Sequence, residues 1–195
     1  AVQFSVVRPS ASRPPLGSRA MAGRRQPNVL VTGTPGVGKT TFCEALAAAS
    51  PRVKHIEVSR LVREKRLFKE WDDEMDCSIF DEDMVCDELE PLLEEGGYVV
   101  DFHSAGFFQD DWFDLVVVLR TETHVLYDRL ERRHYPEAKI KGNVEAEIFQ
   151  TCLEEAQEAF EEASIQVMEL PNNSQDELEE AIERVRQFVD GFEPK

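Results

Sequence analysis

Residues Gly33-Thr34-Pro35-Gly36-Val37-Gly38-Lys39-Thr40 follow the pattern GxxxxGK[ST], and they leave this chain few choices of fold. An apolar run, Val29-Leu30-Val31, leads into them, and a helix-forming run, Phe42 to Ala49, leaves them. Strand, glycine-rich loop and helix in that order make a cradle for a phosphate group. The glycines let the backbone curl until several N–H groups point at one anion. The positive end of the following helix adds to that field. In such a loop Lys39 reaches the β- and γ-phosphates of a nucleotide, and the Thr40 hydroxyl holds Mg²⁺.

Strand and helix patterns alternate beyond the loop. The spacing predicts a short strand over Val53–Val58, an amphipathic helix over Ser59–Phe68, an acidic irregular stretch over Trp71–Phe80 and a helix over Asp81–Glu95. Pro91 is expected to bend or break that last helix, and Gly96-Gly97 to end it. Tyr98-Val99-Val100-Asp101 reads as a strand ending in an acid. Leu115–Leu119 is an unbroken apolar run, the mark of a strand buried on both faces. Thr121 is expected to cap a helix through Arg132, followed by a polar stretch, Arg133–Gly142. A long acidic helix over Glu145–Ala163 and a last strand over Ile165–Leu170 come next. Ser174-Gln175-Asp176-Glu177 is a capping box that opens the terminal helix. Strands alternating with helices imply an α/β fold, a parallel sheet of about five strands flanked by helices on both faces.

A second set of residues fits phosphate chemistry. A neighbouring strand must end in an acid to hold Mg²⁺ or its waters, and Asp101 does so. His103 lies two residues on and faces the same side if the chain stays extended. There it can orient or deprotonate a water, or serve as a hydrogen-bonded structural group. Arg129, Arg132 and Arg133 precede the polar stretch, either as a basic flap for the transferring phosphoryl group or as cations complementing their own helix dipole.

Charge and cysteine content narrow the partners and the compartment. Five arginines and no acid lie in the first 25 residues, so the rest of the chain carries −22 against −17 for the whole. Such a surface repels bare nucleic acid and favours a basic partner. No apolar run nears the ~18 residues of a membrane helix. Cys43, Cys77, Cys86 and Cys152 contain no CxxC pair and read as reduced, packed thiols, not as a zinc site. Residues 1–22, rich in Pro, Ser and Arg, are expected to be a disordered extension before a domain spanning 27–190. They suit the tail of an organelle transit peptide or sequence translated upstream of a start at Met21.

From Asn28 to Phe188 the chain resembles the atypical nuclear adenylate kinases, the adenylate kinase isoenzyme 6 or coilin-interacting nuclear ATPase family. The resemblance is carried by Thr32–Thr41, Ile79-Phe80-Asp81-Glu82-Asp83, Glu95–His103, Val118-Leu119-Arg120-Thr121 and Glu147-Ile148-Phe149-Gln150. It implies a P-loop nucleoside monophosphate kinase with an acceptor-binding segment over residues 57–80 and a lid over 132–142. The implied reaction is AMP and ATP to two ADP, with Mg²⁺, accompanied by ATPase activity. Gly33, Gly36, Gly38, Lys39, Thr40 and Thr41 would bind ATP, Arg133 would be the lid arginine, and Asp101 and His103 match the family's Asp-x-His motif for Mg²⁺ handling and hydrolysis. Arg63 is the candidate for the acceptor phosphate. Where the family places a Gly-Asp or similar pair after the second strand, this chain has Ser59-Arg60. The resemblance also implies maturation of the small ribosomal subunit through a basic ribosomal protein, with placement in nucleus and cytoplasm. A dock for that protein is expected on the acids Glu145, Glu147, Glu154, Glu155, Glu158, Glu161 and Glu162. A nucleotide-driven assembly factor, or a P-loop kinase for another small acceptor such as shikimate or a coenzyme precursor, are the other readings.

Overall fold

The computed structural model describes residues 24–72, 77–163 and 165–194; the extension expected over residues 1–22, and residues 73–76 of the acceptor segment, lie outside them. In chain order the elements are β1 (Val29–Thr32), α1 (Lys39–Ala49), β2 (Lys54–Glu57), α2 (Val58–Lys65), β3 (Phe68–Asp72), β4 (Cys77–Phe80), α3 (Glu82–Glu95), β5 (Tyr98–Asp101), β6 (Leu115–Arg120), α4 (Thr123–Arg132), α5 (Glu137–Ile148), α6 (Thr151–Phe160), β7 (Val167–Pro171) and α7 (Gln175–Asp190). Five strands form the parallel sheet that the alternation predicts, in the order β2-β5-β1-β6-β7.

Successive side chains of each strand point to opposite faces, so the sheet divides the core in two. Val29, Val31, Val99, Val117 and Leu119 meet Phe42 and Leu46 of α1, Leu126 and Leu130 of α4, and Val185 and Val189 of α7. Leu30, Val100, Val116 and Val118 meet Val62 of α2, Leu89 and Leu93 of α3, and Leu153 and Phe160 of α6. Each such side chain contributes about 1.5–3 kcal/mol on burial. That anchors the first turn of α1 against the sheet, where the phosphate loop needs it.

Several local expectations are corrected. Within the stretch 71–80, expected to be irregular, residues 71–72 and 77–80 are strand, in an antiparallel pair: Phe68 pairs with Phe80 and Trp71 with Ser78. Its aromatic and β-branched residues favour a strand despite the acids around them. α3 runs unbroken past Pro91, which faces solvent, where water can satisfy the carbonyl that the ring leaves without a helical donor. Thr121 does not cap α4; Glu122 takes that position, while the Thr121 hydroxyl donates to the Asn172 carbonyl at 3.3 Å. The single helix expected over 145–163 is two, because Gln150 adopts φ 58° and turns the chain between α5 and α6. The polar stretch 133–142 is a short turn followed by the start of α5. The capping box is half formed: Ser174 Oγ accepts from the Glu177 N–H at 3.2 Å, but the Glu177 carboxylate reaches back to the Asn173 N–H. Finally, the fold includes Arg24. Its buried guanidinium donates to the Trp112 carbonyl at 2.9 Å and pairs with Asp114 at 3.2 Å.

Candidate active site

In parallel α/β sheets, ligands bind beyond the carboxyl ends of the strands. Here Val31 stands level with Asp101, and Asp101 with Glu57, so the loop after β1, the end of β5 and the end of β2 open onto one place. A cleft of about 330 Å³ lies there. Gly36, Gly38, Lys39, Thr40 and Thr41 form its floor; Asp101 and His103 form one wall. Glu57, Ser59 and Arg63 lie at the α2 side, and Arg133 and Tyr135 come from the turn after α4. Gly33 alone among the expected loop residues is not on this surface. A Cβ there would sit 2.5 Å from the Leu119 carbonyl oxygen, so its place is to let the loop pass close to β6.

The loop is held open from behind by three side chains. Asn172 Nδ2 donates to the Val37 carbonyl at 2.7 Å, and Arg129 Nη1 donates to the same oxygen at 3.2 Å. Thr34 Oγ1 donates to Glu147 Oε2 at 2.5 Å, while the other oxygen of Glu147 accepts from Arg120 Nε at 2.6 Å and from the Thr121 N–H at 3.1 Å. The glycines make this close fit possible: Gly38 has φ 101°, and a Cβ on it would lie 2.5 Å from Asn172 Nδ2. Arg129 is thereby a loop support, a role that neither reading of the basic cluster gave it, whereas Arg133 lines the cleft.

Lys39 lies inside the curl, its ammonium donating to the carbonyls of Gly33 at 2.7 Å and Thr34 at 3.2 Å. Burial pulls its pKa down, and the Asp101 carboxylate partly restores it. Thr40 Oγ1 donates to Asp101 Oδ2 at 2.6 Å. A hydroxyl and a carboxylate side by side form a hard-oxygen donor pair, which suits Mg²⁺. The His103 imidazole is pushed down to about 4, mainly by burial and next by the Lys39 ammonium, against the pull of Asp101. It is therefore neutral at physiological pH and able to accept a proton or a hydrogen bond. Glu155 fixes the segment after it: one carboxylate oxygen accepts from Ser104 Oγ at 2.6 Å and from the N–H groups of Ala105 at 3.0 Å and Gly106 at 2.8 Å.

Two acids expected on a docking surface, Glu147 and Glu155, are thus turned inward, while Glu145, Glu154, Glu158, Glu161 and Glu162 remain exposed. Nothing in the local sequence of Asn172, Glu147, Glu155 or Tyr135 marks its place in the site. Asn172, Glu147 and Glu155 each bond a segment far away along the chain, and Tyr135 lines the cleft.

A parallel sheet of this order, with a GxxxxGK[ST] loop after the central strand and an acid ending its neighbour, defines a P-loop kinase fold. The shikimate kinase from Acinetobacter baumannii in complex with shikimate shares that fold, with a TM-score of 0.58 over 87% of this chain and 97% of that one, at 17% identity. Residues 29–150 match the family model described as an AAA domain. Relatives described as adenylate kinase isoenzyme 6 homologs are 42% identical in Dictyostelium discoideum, over 88% of this chain and 97% of theirs, and 46% identical in Caenorhabditis elegans, over 87% and 92%. The chain belongs to the adenylate kinase isoenzyme 6 family.

Proposed function

We infer that this protein transfers the γ-phosphoryl group of ATP to a nucleoside monophosphate, with AMP as the acceptor. One observation carries the reading: the phosphate loop and two arginines on opposite sides, Arg63 from α2 and Arg133 from the turn after α4, line the same cleft. ATP lies with its phosphates on the amides of residues 33–40, gripped by Lys39. AMP lies toward residues 57–80, with Arg63 at its phosphate. Arg133, from a lid over residues 132–142, covers the equatorial oxygens of the moving group. Thr40 and Asp101, the latter through water, would hold Mg²⁺, which would supply neutralisation of the phosphate charge. The side chains otherwise position the two substrates and exclude water, which is most of what in-line phosphoryl transfer needs. Ser59-Arg60 leaves the acceptor's base to be read by residues of this chain's own.

The test is an acceptor profile with purified protein, ATP and Mg²⁺. AMP is expected to accelerate ADP formation beyond other monophosphates and beyond shikimate. Folded Lys39→Ala is expected to lose turnover by about two or more orders of magnitude, as removal of a single strong transition-state contact does. Near-normal turnover of that variant would refute the assignment.

A second reading is an ATPase that works as an assembly factor in small ribosomal subunit maturation, in nucleus and cytoplasm, binding a basic ribosomal protein. The neutral His103 beside Asp101 favours it, since an imidazole in that state can accept a hydrogen bond from an attacking water and orient it. The five exposed acids of α5, α6 and the turn after them offer the basic partner a charged face. Stimulation of phosphate release by such a protein, weakened by salt, supports this reading; stimulation by AMP alone supports the first.

A further inference from the structure

Asp101 faces two ways. Toward the cleft its Oδ2 accepts from Thr40. Behind it, Nε2 of His55 lies 3.6 Å from the same oxygen, and Cys43 Sγ completes a set whose ligand atoms all lie within 4.8 Å of one another. The fold explains the meeting. His55 pairs with Val99, two residues before Asp101, so both side chains leave the sheet on one face. Cys43 lies one helical turn after Thr40 on α1, which covers that face. His55 Nε2 is buried and has no hydrogen-bond partner, since 3.6 Å is too long for one. A buried polar atom left in that state is costly and calls for an explanation.

We propose that Cys43, His55 and Asp101 form a binding site for a thiophilic divalent cation, Zn²⁺, and that its occupancy shuts down phosphoryl transfer by taking up the Asp101 oxygen that accepts from Thr40. The second half rests on the function proposed above; the first does not. Thiolate, imidazole and carboxylate together select zinc over magnesium. Ligand atoms around a tetrahedral zinc stand about 3.4–3.6 Å apart, given its usual bond lengths. The His55–Asp101 separation of 3.6 Å already meets this. From a separation of at most 4.8 Å, Cys43 has to close by no more than about 1.4 Å, within reach of a side-chain adjustment. The thiol proton leaves as the metal binds. Thiolate and carboxylate then offset the two positive charges of the ion, so no net charge is buried with it. Without metal the thiol stays protonated, because burial and the neighbouring Asp101 push its pKa well above the ordinary value. The fourth zinc position is left for water from the cleft, which Asp101 lines.

The test uses the full chain, stripped by chelator and refilled with Co²⁺ in the presence of Mg²⁺, and reads the thiolate-to-cobalt charge-transfer band. One equivalent of Co²⁺ is expected to give the band in the wild type and in Cys86→Ser, and Zn²⁺ to abolish it stoichiometrically. Folded Cys43→Ser, checked by circular dichroism, is expected to lose the band. His55→Gln is expected to weaken binding by more than the about 10–100-fold typical of losing an outer-sphere partner; it carries the test should Cys43→Ser fail to fold. In a parallel rate assay, Zn²⁺ is expected to inhibit the wild type while Cys43→Ser keeps turning over. No band in the wild type, or a band surviving in folded Cys43→Ser, overturns the site. One equivalent of zinc bound with turnover undiminished overturns the inhibition. The optical readout needs no turnover, so an inactive kinase would defeat the proposed function without touching the metal site.

Discussion

Glu147→Ala should be the most damaging substitution among the seven acids between residues 145 and 162. Its side chain is only 3% exposed and joins Thr34 of the phosphate loop to Arg120 and Thr121 at the end of β6. Removing it leaves the Arg120 guanidinium, itself 19% exposed, with the Glu147 carbonyl at 3.1 Å and the half-exposed Glu169 at 3.0 Å. Breaking a buried pair by deleting one partner costs about 3–5 kcal/mol. For a chain of this size each kcal/mol lowers Tm by about 2–4 °C, so the expected drop is about 6–20 °C. Circular-dichroism melts against Glu158→Ala provide the measure. Glu158 is exposed on α6 and should change stability by no more than about 0.5 kcal/mol. Both substitutions remove one negative charge from a strongly acidic molecule, so relief of general repulsion cancels in the comparison. If the two variants melt together, Glu147 is a surface acid and the buried network is wrong.

Gly38→Ala should weaken Mg-nucleotide binding by about tenfold or more, because strain of 1–3 kcal/mol at a positive φ is added to displacement of Asn172 from Val37; calorimetry reads it directly. Glu155→Ala should lower kcat more than it raises the KM for ATP, since it frees the segment after His103 and leaves the phosphate loop alone; steady-state kinetics with Glu154→Ala as control will show whether it does. His103 should remain neutral through the physiological range, with an NMR titration midpoint near 4. Its folded pKa lies below the ordinary 6.5, so the unfolded chain takes up the proton first. The contribution to stability is present above pH 6.5 and is lost as pH falls toward 4. A midpoint near 6.5 would contradict the burial that causes the shift.

What could be read from the sequence follows from how local each signal is. The loop at 33–40 announces itself in eight consecutive residues. The runs 29–31, 98–100 and 115–119 mark strands because both faces of a parallel sheet are buried. Asp101 and His103 share a wall of the cleft as their spacing implies. Glu147 and Asn172 escape notice because their partners lie 113 and 135 residues away, and an inward-turned glutamate looks like any other acid on an acidic helix. The turn between α5 and α6 carries neither glycine nor proline; Gln150 takes up the left-handed conformation so that Cys152, Leu153, Ala156 and Phe160 can be buried. Tertiary burial, not local propensity, decides that break. The Cys43–His55–Asp101 cluster has no motif spacing at all and exists only once α1 is laid across β2 and β5.

The most direct measurement follows the label from γ-labelled ATP incubated with the protein, Mg²⁺ and AMP. Transfer within the cleft predicts labelled ADP, formed faster than labelled inorganic phosphate and lost in Lys39→Ala. Label found only in inorganic phosphate, at a rate that AMP does not change, would contradict it.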